Sequence, residues 1–167
     1  GTGPNHAAMY GFVKEYDPTR LCQYEAGAPG QNISDIRGNM YAPIEMILGM
    51  LADPRDDRPI ILVEYLYQIS NSGGGMYKFN ELLDRFPRFQ GGFIWDWVDQ
   101  GILKTGSDDE KYWAYGGDFG EEGVPSDGNF CINGLVWPDR TPKPGLKEVK
   151  KVYQYVEFKP VDLEKGI

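Results

Sequence analysis

The sequence has 167 residues, a net charge of −8, one histidine and two cysteines. That length suffices for one domain with a core of its own. The negative charge argues against nucleic acid as a partner, because phosphate binding requires clustered Lys and Arg. No apolar stretch approaches the roughly 20 residues that span a bilayer, so no membrane partner is expected. The 14% aromatic content, together with many acidic residues, is typical of sugar-binding clefts and also of many ordinary cores.

The first third of the chain is predicted to contain two helices and two short strands. A helix begins at Pro4 and ends before Asp17-Pro18, because the residue before a proline avoids the α region. Its apolar face is formed at helical spacing by Met9, Phe12, Val13 and Tyr16. Residues 21–25 and 35–41 are predicted as weak strands separated by a loop at 27–31. A second helix begins at Pro43.

The central feature of the sequence is the run Pro-Ile-Ile-Leu-Val-Glu-Tyr at 59–65. A short, continuous apolar run of this kind suits a strand of a parallel sheet, buried on both faces. It ends in Glu64, whose charge costs several kcal/mol to bury unless it is paired. Ligands of parallel α/β folds bind at the carboxyl ends of the strands. Glu64 is therefore the first candidate for chemistry, with a structural buried carboxylate as the alternative.

A second apolar run, Gly-Gly-Phe-Ile-Trp-Asp-Trp-Val-Asp-Gln at 91–100, predicts another strand. Between the two runs, residues 76–86 have the apolar spacing of an amphipathic helix. Residues 101–144 show no clear periodicity and are predicted to form a long, ordered loop. A last helix is expected around residues 146–153, followed by the start of a strand at 155–161.

Strands that alternate with helices indicate a parallel α/β fold. We count four candidate strands, whereas a closed (β/α)₈ barrel has eight strands and roughly 250 residues. The sequence therefore predicts either a small open sheet or about the last four βα units of a TIM barrel. On the second interpretation, residues 1–155 are the C-terminal half of the barrel and residues 156–167 begin the following linker or β-domain.

Five blocks of sequence carry a resemblance to one enzyme family. The strand 59–65, followed by Asn-Ser at 71–72, resembles the nucleophile strand of the glycoside hydrolase family 2 β-galactosidases. The later blocks are similar to that family in order and spacing: 91–100, Tyr-Gly-Gly-Asp-Phe-Gly at 115–120, Phe-Cys-Ile-Asn-Gly-Leu at 130–135 and Asp-Arg-Thr-Pro at 139–142. The β-glucuronidase and β-mannosidase branches share the barrel and remain alternatives, but the Trp-Asp-Trp block looks like the galactosidase branch.

The resemblance implies a retaining hydrolase of β-D-galactosides such as lactose. It places Glu64 at the position of the nucleophile and Tyr41 at that of a tyrosine that orients the nucleophile. Trp95 matches an aromatic platform under the galactose ring. Tyr67 stands where the family has a histidine that contacts the sugar, and a phenol there can still donate one hydrogen bond.

The resemblance also implies metal ions. Asn133 and the carbonyl of Phe130 match ligands of a sodium ion near the 6-hydroxyl of the sugar. Most magnesium ligands of the family are expected outside this chain.

One catalytic group is expected to be absent. Retaining hydrolysis requires two carboxyl groups about 5 Å apart, and the family's acid/base glutamate lies in an Asn-Glu-Ser segment expected upstream of Gly1. The isolated chain is therefore predicted to be inactive. It is also expected to self-associate through open barrel edges, while the parent protein is expected to be a cytoplasmic homo-oligomer, with the periplasm as the alternative. The competing interpretation of the whole chain is a non-catalytic carbohydrate-binding module.

Overall fold

The computed structural model of the chain describes residues 2–25 and 30–166 and has a mixed α/β architecture. All four predicted helices are confirmed, as are three of the predicted strands. The elements are α1 (Pro4–Tyr16), β1 (Arg37–Met40), α2 (Ile44–Ala52), β2 (Ile60–Tyr65), α3 (Met76–Arg85), β3 (Phe89–Ile94), β4 (Ile102–Thr105), β5 (Lys111–Ala114) and α4 (Gly145–Val152). Two short 3₁₀ turns, Gly116–Asp118 and Gly128–Cys131, lie between β5 and α4.

The main sheet is parallel and has the strand order β1-β2-β3. Consecutive strands are neighbours and are joined through α2 and α3, as the alternation of strands and helices predicts. Within the described residues the sheet does not close on itself. A separate antiparallel hairpin is formed by β4 and β5.

One face of the sheet forms the core. Its buried side chains are Ile60, Leu62, Tyr65 and Phe89, and they pack against residues of α2, α3 and α4: Ile47, Met50, Met76, Leu82 and Val149. Each fully buried apolar side chain contributes about 1.5–3 kcal/mol. The opposite face is open, since Phe93 of β3 is 65% exposed.

The helix boundaries have local causes. Pro43 precedes α2, and its carbonyl accepts hydrogen bonds from the N–H groups of Met46 and Ile47 at 3.0 and 3.1 Å. This agrees with a helix that begins next to a proline. The α1 helix ends at Tyr16, directly before Asp17-Pro18, as predicted. Its apolar face packs against little within the described chain, because Phe12 is 67% exposed.

The predicted strand at 21–25 is wrong. The N–H of Cys22 donates to the Asp35 carboxylate at 2.7 Å, and the N–H of Tyr24 donates to the Ser34 hydroxyl at 3.1 Å. Side chains thus take backbone donors that a strand ladder would require, and the segment is irregular. The predicted loop at 27–31 lies partly outside the described residues.

Three further expectations need correction. The strand predicted at 155–161 does not form: Tyr155 and Phe158 are exposed, with no strand partner among the residues described. In addition, β3 begins at Phe89 and ends at Ile94, before Trp95. Finally, the stretch 101–144 contains the β4–β5 hairpin, whose strands were not predicted.

Candidate active site

The carboxyl ends of β1, β2 and β3 bring three predicted site residues together. Tyr41 directly follows β1, and its N–H donates to the carbonyl of Glu64 at 2.9 Å. Trp95 directly follows β3, and its N–H donates to the carbonyl of Tyr65 at 3.0 Å. Parallel strands end at the same edge of a sheet, so residues far apart in sequence become neighbours there.

A β-bulge in β2 directs the side chain of Glu64 away from the core. Asn39 pairs with Leu62 and the next residue of β1, Met40, pairs with Glu64, so β2 has one extra residue between them. Leu62 and Tyr65 both lie on the buried face. Strict alternation from Leu62 would place Glu64 on that same face. The bulge places Tyr65 there instead and turns Glu64 to the open face, as bulges near active sites often do.

The hydroxyl of Tyr41 is the group that faces Glu64. Tyr41 has a φ of 50°, a left-handed conformation that costs a non-glycine residue about 1 kcal/mol or more. Its hydroxyl oxygen is buried and completes no hydrogen bond with any residue that the structure describes. Burial raises the pKa of Tyr41 well above its usual value, and the neighbouring Glu64 carboxylate raises this pKa further. The phenol is therefore neutral beside the carboxylate at ordinary pH.

Aromatic rings border the carboxylate on the open side. The rings of Tyr41 and Tyr67 meet edge to face, with their centroids 5.3 Å apart. Tyr67 and Trp95 are each 38% exposed, so part of each ring is available to a ligand. The Asp96 carboxylate is occupied locally, since it accepts hydrogen bonds from the N–H of Val98 at 2.9 Å and from the side chain of Gln100 at 3.0 Å.

Asn133 lies behind this edge and is almost completely buried. Its carbonyl accepts hydrogen bonds from the N–H of Gln68 at 3.0 Å and from the N–H of Asp96 at 3.1 Å. Its side-chain amide donates to the carbonyl of Phe130 at 2.6 Å. The Oδ1 atom of Asn133 is buried and has no partner within the described part of the chain. The segment 130–133 is thereby fixed to the residues that follow β2 and β3.

The sequence did not point to a buried ion pair in this region. Lys143 Nζ donates to Asp99 Oδ1 at 2.6 Å, and the two side chains are 9% and 0% exposed. Asp99 lies five residues beyond the end of β3. An acidic residue so close to the end of a strand was the only feature of the sequence that could have indicated a buried carboxylate here. Lys143, 44 residues away, carries no pattern of its own.

One cavity lies beyond the carboxyl end of β2, and Glu64 is not among its lining residues. Its volume is about 620 Å³, and its lining includes Gln68, Asn71, Trp137, Lys143 and Glu148. We take the strand edge, and not this cavity, as the candidate site, because the Glu64 carboxylate and the Tyr41 hydroxyl lie at the edge. Among the residues described, no cluster of three or more His, Cys, Asp or Glu side chains has the geometry to hold a metal ion. In the same residues, every helix is too short or too polar to cross a lipid bilayer.

Comparison with known families identifies the class. Residues 1–158 match the family model described as "Glycosyl hydrolases family 2, TIM barrel domain". The chain therefore belongs to glycosyl hydrolase family 2. The matching model describes a TIM barrel domain, and the main sheet of the described residues is open.

Curated relatives of the chain are named β-galactosidases. The chain is 47% identical to a β-galactosidase of Vibrio cholerae, 44% identical to one of Leuconostoc mesenteroides and 41% identical to one of Pectobacterium atrosepticum. Each alignment covers 95% of this chain and 16% of the relative. The chain thus spans about one sixth of the length of these β-galactosidases.

Proposed function

We propose that this chain is part of a retaining β-galactosidase that releases terminal β-D-galactose from β-galactosides such as lactose, with Glu64 as the nucleophile. The observation that carries the proposal is the bulge in β2, which turns the Glu64 carboxylate out of the core toward Tyr41 at the carboxyl edge of the sheet. The relatives, all named β-galactosidase, supply the substrate class.

In the first chemical step, the Glu64 carboxylate attacks the anomeric carbon while the bond from that carbon to the leaving-group oxygen breaks. A glycosyl ester forms on Glu64, and water then displaces the carboxylate, so the anomeric configuration is retained. Both steps require a second carboxyl group, which first donates a proton to the leaving group and then removes one from water. We assign that group to a part of the polypeptide outside residues 1–167, since Asp96 already accepts local hydrogen bonds through both oxygens.

The surrounding side chains suit the formation and recognition of this ester. The neutral hydroxyl of Tyr41 is available to donate a hydrogen bond to the Glu64 carboxylate, which would orient that carboxylate for attack. The half-exposed ring of Trp95 suits stacking under the apolar face of a galactose ring. Tyr67, beside Tyr41, is our candidate for contact with a sugar hydroxyl.

The Asn133 carboxamide and the Phe130 carbonyl fit a sodium ion. Asn133 Oδ1 is buried and has no partner among the residues that the structure describes, while the amide nitrogen of the same side chain contacts the Phe130 carbonyl. A rotation of the carboxamide by half a turn would bring Oδ1 and that carbonyl oxygen together, and a cation between these two acceptors would offset their mutual repulsion. The ion would supply a fixed positive charge for a sugar hydroxyl. Magnesium ligands are assigned mostly to the remainder of the polypeptide.

We also propose that the three parallel strands form one arc of a (β/α)₈ barrel. On this proposal, residues 1–155 belong to the C-terminal half of that barrel and residues 156–167 begin the next linker or domain. The open face that exposes Phe93 would then be covered by strands from elsewhere in the polypeptide. We further propose that the complete protein is a cytoplasmic homo-oligomer.

A labelling experiment tests the role of Glu64 without requiring the acid/base group. An aryl β-galactoside with an activated leaving group and a fluorine at carbon 2 is expected to form a stable ester on Glu64, detected by mass spectrometry of the peptide that contains it. The Glu64→Gln variant should remain unlabelled, whereas Glu45→Gln, a change on the exposed surface of α2, should be labelled like the wild type.

Each alternative has its own outcome in this experiment. A label on another carboxylate would contradict the assignment of Glu64. Galactose binding without any label would instead favour a non-catalytic carbohydrate-binding module. The isolated chain is expected to cleave lactose far more slowly than the complete protein, because general acid catalysis is typically worth about 10²–10⁴-fold. Lactose turnover equal to that of the complete protein would contradict the missing-acid proposal.

A further inference from the structure

The buried pair of Asp99 and Lys143 takes no part in the proposed reaction, and its burial requires an explanation. The pair lies almost completely out of solvent. A buried ion pair is weak evidence for stability, because the loss of hydration can exceed the attraction between the charges. Asp99 Oδ2 is also buried and has no partner among the described residues. The pair does, however, hold several backbone groups in place.

The pair joins the chain after β2 to the chain after β3. Asp99 Oδ1 accepts hydrogen bonds from Lys143 Nζ at 2.6 Å and from the N–H of Gly134 at 2.8 Å. Lys143 Nζ also donates to the carbonyl of Gln68 at 3.4 Å, and it lies 4.8 Å from the centre of the Trp137 ring. One carboxylate oxygen and one ammonium group thus connect three segments of the chain.

These contacts act on the peptide that carries Asn133. The carbonyl of Asn133 is held by the N–H groups of Gln68 and Asp96, and the next N–H, that of Gly134, is held by Asp99. A Cβ atom on Gly134 would lie 2.4 Å from the backbone nitrogen of Asp99, so the two segments are in direct backbone contact. These contacts fix the backbone from which the Asn133 carboxamide extends.

We propose that Asp99 and Lys143 are positioning residues that fix the Asn133–Gly134 peptide and the chain after Glu64. They act through Asn133 and Gln68 and do not themselves contact substrate. The link to galactoside binding rests on the proposed function, whereas the link to Asn133 and Gln68 rests on the contacts alone. The experiment below separates the two.

Hydrogen exchange, followed by mass spectrometry on the whole polypeptide that contains residues 1–167, tests the contacts. Lys143→Met is expected to speed exchange in residues 131–136 and 66–68 by roughly 10- to 100-fold. Lys14→Met breaks the more exposed pair of Lys14 with Asp35 on α1 and is the matched control, which should leave both segments unchanged. Unaltered exchange in Lys143→Met, or equal acceleration throughout β2, would overturn the proposal.

A double variant keeps the test decisive if Lys143→Met folds poorly. Asp99→Asn with Lys143→Met removes both charges, while the new carboxamide oxygen can still accept from Gly134. We expect its thermal midpoint to be closer to the wild-type value than that of Lys143→Met, with exchange in residues 66–68 still fast. Slow exchange at residues 66–68 in the double variant would show that Lys143 does not hold Gln68.

Kinetics separates positioning from a purely structural role. Because a sodium ion held at Asn133 would contact the sugar equally in the ground and transition states, both variants should raise KM for an aryl β-galactoside about tenfold and change kcat less than about twofold. A wild-type KM in the double variant would overturn the positioning role. Fast exchange in a wild-type polypeptide that cleaves no galactoside would refute both claims. Slow, variant-sensitive exchange in such a polypeptide would refute the proposed function alone and leave the contacts standing.

Discussion

Removal of the Tyr41 hydroxyl and removal of the Tyr65 hydroxyl are expected to have opposite effects on the free energy of unfolding. The Tyr65 hydroxyl lies 3.1 Å from that of Tyr153 and shares a hydrogen bond with it. The Tyr41 hydroxyl faces the Glu64 carboxylate but completes no hydrogen bond of good geometry in the described chain. An unsatisfied buried polar group costs roughly 1–3 kcal/mol. Tyr41→Phe is therefore expected to raise the free energy of unfolding by about 1 kcal/mol. Tyr65→Phe, the matched control, should lower it by about 1 kcal/mol, since a typical hydrogen bond contributes about that much.

Urea unfolding followed by circular dichroism measures both changes at pH 7. The pKa of Tyr41 is raised in the folded state, so the associated stabilisation is complete below pH 10 and is lost as pH rises above it. Above pH 10 the free energy of unfolding of the wild type should then fall faster than that of Tyr41→Phe, so the difference between the two free energies should increase. If Tyr41→Phe is destabilising by as much as Tyr65→Phe, the hydroxyl is satisfied in the folded protein and the reasoning fails. Turnover of an activated galactoside by the complete protein should fall in Tyr41→Phe despite the gain in stability.

Three further predictions follow from charge, backbone contact and open strand edges. The Arg58 guanidinium lowers the pKa of Asp56 to about 2, so Asp56→Asn should cost about 1–2 kcal/mol at pH 7 after solvent screening. That difference should shrink as pH falls through about 4 towards 2, and urea unfolding at pH 7 and pH 3 checks it; a difference independent of pH would contradict the assignment. Gly134→Ala should destabilise by roughly 3 kcal/mol, whereas Gly49→Ala in α2, where a Cβ atom meets nothing within 4 Å, should stabilise by about 0.5–1 kcal/mol; equal thermal shifts would refute the contact argument. The isolated chain should self-associate through the edges of β1 and β3, and sedimentation equilibrium giving a monomer throughout the micromolar range would disprove this.

The sequence predicted the position of Glu64 well because a short apolar run that ends in a charge reports directly on a strand end. Parallel pairing then brought Tyr41 and Trp95 to the same edge without any further assumption. The catalytic and binding roles of these residues stay predictions. Pattern alone could not yield the pairing of Asp99 with Lys143, since it depends on where two distant segments meet in space.

Other features were missed for local reasons. The strand at 21–25 does not form because Ser34 and Asp35 side chains take its backbone donors, and apolar periodicity does not record such competition. The sequence did contain a signal for the β4–β5 hairpin, a turn at 106–110 with Gly106 and Asp109. In the structure Asp109 has a φ of 64°, as a tight turn requires. Two short strands around such a turn are typical of a hairpin.

The bulge in β2 also has a consequence for the length of the strand. Without Val63, Asn39 would still pair with Leu62 and Met40 with Glu64, now as consecutive residues in an unbroken ladder. Leu62, Glu64 and Tyr65 would then keep their present faces by simple alternation. Deletion of Val63 would therefore make the strand regular while the Glu64 carboxylate keeps its direction, a combination that no substitution can produce. A shortened chain is therefore expected to fold and still to form an ester on Glu64, and loss of the ester in a folded chain would mean that the irregularity itself is needed to position the carboxylate.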